Sequence, residues 1–248
     1  MVKLVGILNV TPDSFSDGNL YLEPAKAIHQ ADKLFKDGAS LVDVGAESTR
    51  PGAIPLSWHE EWERLEPVLP KLLSKYSGRI SLDTYHAETA KRALALSPKV
   101  IINDVTGLSD PGMVDVIVSH QARCIIGHVP GGDAQDAHVS TLLDDVSKVK
   151  EDLLAKAESL EKKGLSKDRI ILDPGIGFGK TPRLNSELLE FPKLIPDYEV
   201  MIGYSRKRFL GDDRMERGPN LEAGKIAAAA GAAYLRVHDV DGHKQLLY

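Results

Sequence analysis

Polar side chains suited to binding and catalysis follow short apolar runs at regular intervals along this chain. Asn9 follows the first run, Asp43, Glu47 and Arg50 mark the second, and Asp83 ends the third. Asn103 and Asp104 end the fourth, His128 the fifth and Asp173 the sixth, with Ser205 and Lys207 after the seventh and Arg236 and His238 at the eighth. Asp83 and Asp173 can each accept two parallel N–H bonds, which suits a planar guanidine-like or aminopyrimidine edge. Arg50, Arg236, His238 and Asn9 can hold phosphate oxygens, and the Arg236 guanidinium can instead stack on a ring face. These types describe a ligand with an amide-like donor edge and an anionic tail. A structural ion-pair network among the same Asp and Arg residues is the plain alternative.

Other motifs are incomplete. Gly179-Lys180-Thr181 resembles the end of a phosphate-binding loop, but Pro174 stands where that loop needs its first glycine. Gly175, Gly177 and Gly179 lack the spacing of a dinucleotide fingerprint. The stretch His59-Glu60-Glu61-Trp62-Glu63 has no second histidine for a zinc-protease helix and reads as a solvated first turn. Cys124, the only cysteine, sits inside an apolar run and reads as a small core residue.

The elements that must position these groups are strand-length apolar runs at 4–8, 41–44, 79–82, 100–102, 123–127, 169–172, 199–202 and 233–237, alternating with longer helical patterns. Such alternation is the signature of βα units around a parallel sheet. Continuous apolar character suits strands covered on both faces. The spacing of Ser57 and Glu60 predicts a capping box, and Pro67 and Pro70 predict that the helix it opens kinks or ends early. The segment 141–163 predicts one helix with Leu142, Val146, Val149, Leu153, Ala157 and Leu160 on one face, stopped by Gly164. Gly38-Ala39 and Gly231-Ala232 predict the same turn between a helix and the next strand. Eight such units favour an α/β fold, a (β/α)8 TIM barrel in a single domain over residues 1–248, with a shortened final helix. In that fold the strand C-termini converge on one mouth, where binding groups collect.

Composition narrows the partners. The 248 residues carry 31 Lys and Arg against 36 Asp and Glu, a net charge of −5. Binding driven by nucleic-acid phosphates needs clustered positive charge, so no nucleic acid is expected as partner. The longest nearly pure apolar run is too short to span a bilayer, so no membrane is expected either, and the lone cysteine excludes an intramolecular disulfide. The start of the chain passes straight into a strand with no secretory pattern, and a cytoplasmic location is expected.

The residue blocks resemble dihydropteroate synthases, the pterin-binding barrel enzymes of folate synthesis. The resemblance rests on residues 6–18 (GILNVTPDSFSDG), 43–53 (DVGAESTRPGA), 81–84 (SLDT), 102–104 (IND), 172–181 (LDPGIGFGKT), 205–211 (SRKRFLG) and 236–240 (RVHDV), in order along nearly the whole chain.

This resemblance implies that the amine of 4-aminobenzoate attacks the exocyclic methylene of hydroxymethyl-dihydropterin pyrophosphate, giving dihydropteroate and pyrophosphate. It implies that Asp173 binds the aminopyrimidine edge, that Asp83 and Asn103 meet the other ring nitrogens, and that Lys207 and Arg236 lie beside and over the ring. Asn9, Arg50 and His238 would hold pyrophosphate, with Mg2+ at Asn9. Thr49, Pro51, Phe178, Ser205 and Lys207 would form the aminobenzoate pocket, closed by the loops at 11–21 and 47–57. Asp83, Asp173, Lys207 and Arg50 are the implied catalytic groups, and a sulfonamide-sensitive homodimer is the implied assembly. A pterin-binding methyltransferase shares the barrel and the Asp–Asn clamp, but the Ser-Thr-Arg-Pro-Gly and Ser-Arg-Lys blocks favour the synthase. A homologue without synthase activity would keep the same binding residues.

Overall fold

A computed structural model describes residues 1–10, 23–47, 55–131 and 142–247. Its strands are β1 (Lys3–Asn9), β2 (Leu41–Gly45), β3 (Ile80–Asp83), β4 (Ile101–Asp104), β5 (Cys124–Gly127), β6 (Ile170–Asp173), β7 (Glu199–Ile202) and β8 (Tyr234–Val237). All pair in parallel in sequence order, and β8 closes onto β1 with Val5 opposite Arg236. Each lies within two residues of its expected position, because an apolar run bounded by turn residues is a local signal.

Side chains alternate between the two faces of each strand. On the inward face Val5, Leu41, Ile101, Ile125, Ile171, Met201 and Tyr234 form one apolar cluster that plugs the lower barrel. The next inward positions, two residues on, are Ile7, Asp43, Asn103, Gly127, Asp173, Gly203 and Arg236. Except at Ile7, the barrel interior therefore changes from hydrocarbon to polar and glycine positions toward the C-terminal mouth. On the outward face Leu4, Leu8, Val42, Val44, Ile80, Leu82, Cys124, Ile126, Leu172 and Val200 belong to the larger core beneath the helices. Cys124 is fully buried there, and burial pushes its thiol up to about 12, as suits a core residue.

The helices around the barrel are α1 (Glu23–Lys36), α2 (Trp58–Leu65), α3 (Leu69–Lys75), α4 (Ala87–Leu96), α5 (Met113–Ser119), α6 (Val146–Lys162), α7 (Pro182–Glu187), α8 (Arg217–Ala229) and α9 (Val240–His243). The Ser57–Glu60 capping box is present. The helix it opens stops at Leu65, and Pro70 sits in the first turn of α3, where its missing N–H costs nothing. The paired Gly-Ala turns are the same turn. Gly38 and Gly231 have φ of 108° and 95°, and Ala39 and Ala232 each donate back to the residue five earlier, at 3.0 and 3.1 Å.

Two local expectations are corrected. The helix expected over 141–163 begins at Val146, capped by Asp145, whose side chain accepts from Ser147 N. Leu142 is left exposed at 49%, and Leu143 instead bridges to Lys180. Local capping thus overrides an apolar periodicity that extends beyond the helix. Glu61, expected in a solvated turn, is 1% exposed and accepts from Thr84 Oγ1 at 2.7 Å. The final helix is short, as expected: four residues of α9 and a tighter turn over Lys244–Leu247.

Candidate active site

The barrel mouth is organised around a buried ion pair. Arg236 enters from β8 and donates through Nε to Asp43 Oδ2 at 2.6 Å and through a terminal nitrogen to Asp83 Oδ2 at 2.6 Å. Asp43 is fully buried and also accepts from Ser81 Oγ at 2.5 Å and Asn103 Nδ2 at 3.0 Å. Burial works against the Arg236 cation, but Asp43 and Asp83 outweigh it and hold the charge in place. The pairing of Asn103 Nδ2 with a carboxylate oxygen turns its carbonyl oxygen away from Asp43, ready to accept a bond. Burial raises the Asp83 carboxyl and Arg236 opposes it.

Asp173 ends β6 beside Gly127, and its Oδ1 accepts from Gly175 N at 2.7 Å. Its other oxygen lies 3.6 Å from where a Cβ on Gly203 would stand, and Arg236 Cβ lies 3.8 Å from the same point. Gly203 is therefore the space through which the β6 carboxylate and the β8 guanidinium share one cleft. Burial raises the Asp173 carboxyl, with Lys207 and the Gly175 amide opposing.

Lys207 follows β7. Its ammonium donates to Ile176 O and stands 4.8 Å from the centroid of the Phe178 ring. Burial pushes it down to about 8, against the pull of Asp173. The residue before it, Arg206, has φ of 62°, a backbone that side chains rarely adopt. Asn220 of α8 holds it there: its Oδ1 accepts from Arg206 N at 2.8 Å, while its Nδ2 donates to the carbonyls of Arg214 and Glu216. This turn presents Ser205, whose Oγ lies 3.0 Å from His238 Nδ1.

The structure thus brings together Asp83, Asn103, Asp173, Phe178, Ser205, Lys207, Arg236 and His238, with Asn9 half-buried at the end of β1. Thr49, Arg50 and Pro51, with the rest of residues 48–54 of their loop and the loop at 11–21, lie outside the described residues. Two strand-end groups do not serve the mouth. Asp104 faces outward and accepts from Thr106 N, Thr106 Oγ1 and Leu108 N, which makes it a loop cap. His128, one residue past β5 on the outward face, is 0% exposed and meets Asp152 of α6 at 3.3 Å. Burial, helped by Lys180, pushes it down to about 3, so it stays neutral. Each sits one residue beyond an inward position, and a shift of one residue along a strand reverses the face. Asp43, named from sequence only as a polar group on the second strand and given no role there, proves to be the residue that holds Arg236, Asn103 and Ser81 in place. The signal for it was present in the two-residue spacing of Asp43 with Gly45 and of Ser81 with Asp83, which pair across β2 and β3.

At the opposite end, Arg123 binds Glu199 and donates to Tyr234 Oη at 2.9 Å, lining a depression of about 450 Å³ with Lys167, Asp168, Ile170 and Asp197. Its Arg123 and Glu199 charges are paired with each other, as befits the stability face of a barrel.

Comparison with known proteins accords with this geometry. Residues 5–238 match the family model described as pterin binding enzyme. The chain belongs to the pterin-binding enzyme family. Among curated members of that family, the dihydropteroate synthase of Neisseria meningitidis serogroup C is 40% identical over 250 residues, covering 96% of this chain and 88% of that one. The dihydropteroate synthase of Xanthomonas albilineans, solved with 4-aminobenzoic acid, superposes with a TM-score of 0.86 at 36% identity, covering 99% of this chain and 90% of the other. The Yersinia pestis enzyme, solved with a sulfonamide drug, superposes with a TM-score of 0.88 at 31% identity, covering 99% and 92%. This pterin-binding enzyme is a transferase with dihydropteroate synthase function in folate biosynthesis.

Proposed function

We propose that the mouth carries out the condensation with the pterin held by Asp83, Asn103 and Asp173 and the 4-aminobenzoate held by Phe178, Ser205 and Lys207, with Thr49 and Pro51 completing that pocket. The observation that supports this division is the position of Lys207, whose ammonium stands 4.8 Å from the centroid of the Phe178 ring and feels the charge of the Asp173 carboxylate. Asp173 offers acceptors to a donor edge, and the Asn103 carbonyl oxygen and the remaining lone pairs of Asp83 accept from ring N–H groups. Arg236, tethered at both carboxylates, presents its planar face to the ring without needing to move.

In the reaction the C–O bond to pyrophosphate breaks early, and the amine nitrogen then forms its bond to the methylene carbon. The bonding pair leaves on oxygen and the amine proton passes to solvent. Positive charge spreads from the methylene carbon into the dihydropterin ring, and the buried carboxylates beside it stabilise that charge where it develops. An aniline nitrogen is already nucleophilic, so the site needs no strong general base. His238, Arg50 and Asn9 take the pyrophosphate oxygens.

Among the described residues no three His, Cys, Asp or Glu side chains come together as a metal cage. Asn9 offers a single amide oxygen. That donor set fits Mg2+ carried on the pyrophosphate, since this ion keeps several waters and takes few protein ligands beside substrate phosphates. Bound there, it would neutralise charge on the leaving group. The working unit in this reading is one domain, residues 1–248, in a cytoplasmic homodimer open to sulfonamides. No described helix is long and apolar enough to cross a membrane.

The test is pyrophosphate release from the pterin substrate with and without 4-aminobenzoate. Release stimulated by 4-aminobenzoate, with dihydropteroate formed in equal amount, is expected. Release indifferent to 4-aminobenzoate, or none, contradicts the reading.

A further inference from the structure

The Gly179-Lys180-Thr181 triplet, which fails as a phosphate loop, has another use in the fold. Lys180 is 4% exposed, and its ammonium donates to the carbonyls of His128 at 2.9 Å, Gly175 at 2.8 Å and Phe178 at 3.0 Å. A lysine ammonium has three donors and no acceptor, so its capacity is fully used. His128 follows β5, whereas Gly175 and Phe178 belong to the loop that leaves β6. The two segments touch: a Cβ on Gly175 would stand 2.0 Å from the His128 carbonyl oxygen. Asn185 of α7 adds two more ties, accepting from Gly177 N at 2.6 Å and donating to Lys180 O at 3.1 Å.

We propose that Lys180 is a positioning residue for both substrates, tying the β6 loop to the end of β5 so that Asp173 faces the pterin edge and Phe178 faces the 4-aminobenzoate. The proposal rests on the assignment of Asp173 and Phe178 made above. The path to Asp173 is short, because Gly175 gives its carbonyl to Lys180 and its N–H to Asp173 Oδ1. The path to Phe178 is its own carbonyl. Burial, joined by Lys207 and by Lys156 of α6, pushes the Lys180 ammonium down to about 7, and Asp173 pulls the other way. His128 is neutral. An ammonium so disfavoured is held in place by its three carbonyl partners.

The test uses the full chain with Lys180→Met and Lys180→Arg, read by steady-state kinetics, pterin calorimetry and amide hydrogen exchange. Turnover of both substrates by the wild type checks the subsite reading separately. In Lys180→Met the KM for 4-aminobenzoate should rise and pterin affinity should fall, each at least about tenfold, since misplacing a positioned group by an ångström can cost a hundredfold. Exchange should quicken at 175–179 and stay as in the wild type in β1 to β3. Lys180→Arg keeps charge and donors and should recover part of both losses. Unchanged KM and pterin affinity in folded Lys180→Met would overturn the proposal, as would exchange rising equally around the barrel. If Lys180→Met does not accumulate as folded protein, Lys180→Arg decides. Its planar fork cannot set three donors about one point, so a raised KM for 4-aminobenzoate supports the proposal and a wild-type KM overturns it.

Discussion

Arg236 and Asp43, 193 residues apart in sequence, meet through Nε and Oδ2 at 2.6 Å inside the barrel, and Asp43 has no exposed surface. The carboxylate simultaneously orients Asn103 and Ser81, so one side chain sets three others. Asp43→Asn replaces an acceptor by a donor in front of Arg236 and leaves a buried cation with one carboxylate partner. Breaking a buried pair in this way costs about 3 kcal/mol or more. Urea unfolding should show that loss, together with weaker pterin binding. A loss below about 1 kcal/mol would place the pair in the range of exposed, solvent-screened bridges.

Asp173→Asn tests the pterin edge. If the carboxylate accepts two bonds, the amide sets one donor against another, a mismatch of about 1–3 kcal/mol. Pterin affinity by calorimetry should weaken about tenfold, the equivalent of 1.4 kcal/mol. Unchanged affinity would make Asp173 a loop residue serving only Gly175.

Arg50→Ala separates binding of the ring from assembly of the second site. If Arg50 engages the pyrophosphate only after the pterin is bound, the variant keeps pterin binding and loses turnover. A sulfonamide, as a mimic of aminobenzoate, should bind the wild type only with pterin and pyrophosphate present, and the variant should lose that dependence. Sulfonamide binding equally to the free wild-type protein would count against this order.

Stability against acid should carry two opposite signatures. His128 titrates near 3 when folded against 6.5 ordinarily, so between these values the unfolded chain binds the extra proton and stability falls as pH falls. Glu61, raised by burial from 4.5 to about 6, is protonated first in the folded state, so stability rises as pH falls through that window. These two oppose each other between 4.5 and 6, and of the pair only His128 acts below 4.5. In urea unfolding from pH 7 to 3.5, His128→Gln should flatten the acid loss, by at most about 1.4 kcal/mol per pH unit. Glu61→Gln should steepen it. Parallel curves for all three proteins would mean that neither group titrates differently on folding.

What could be read along the chain was whatever depends on neighbours in sequence. The eight strands, the Ser57 cap, the break before Pro70 and the paired Gly-Ala turns each rest on signals within a few residues. The blocks around Asp83, Asp173, Lys207 and Arg236 likewise sufficed to reach the family. The helix expected from 141 failed at its start because apolar spacing continued through Leu142, while the Asp145 cap decided where the turns begin.

Which polar residue faces the mouth was decided only by barrel closure. A strand covered on both faces is apolar on both, so its sequence carries little information about which residue points inward. Asn103 and Asp104 are neighbours of similar polarity, yet one meets Asp43 inside and the other caps a loop outside. His128 turned outward to Asp152, and Glu61 came out of solvent to meet Thr84, because segments distant in sequence supplied the partners. Lys180 shows the same cause: its three carbonyl partners become a set only when the ends of β5 and β6 lie side by side, a distance in space that residue spacing does not encode.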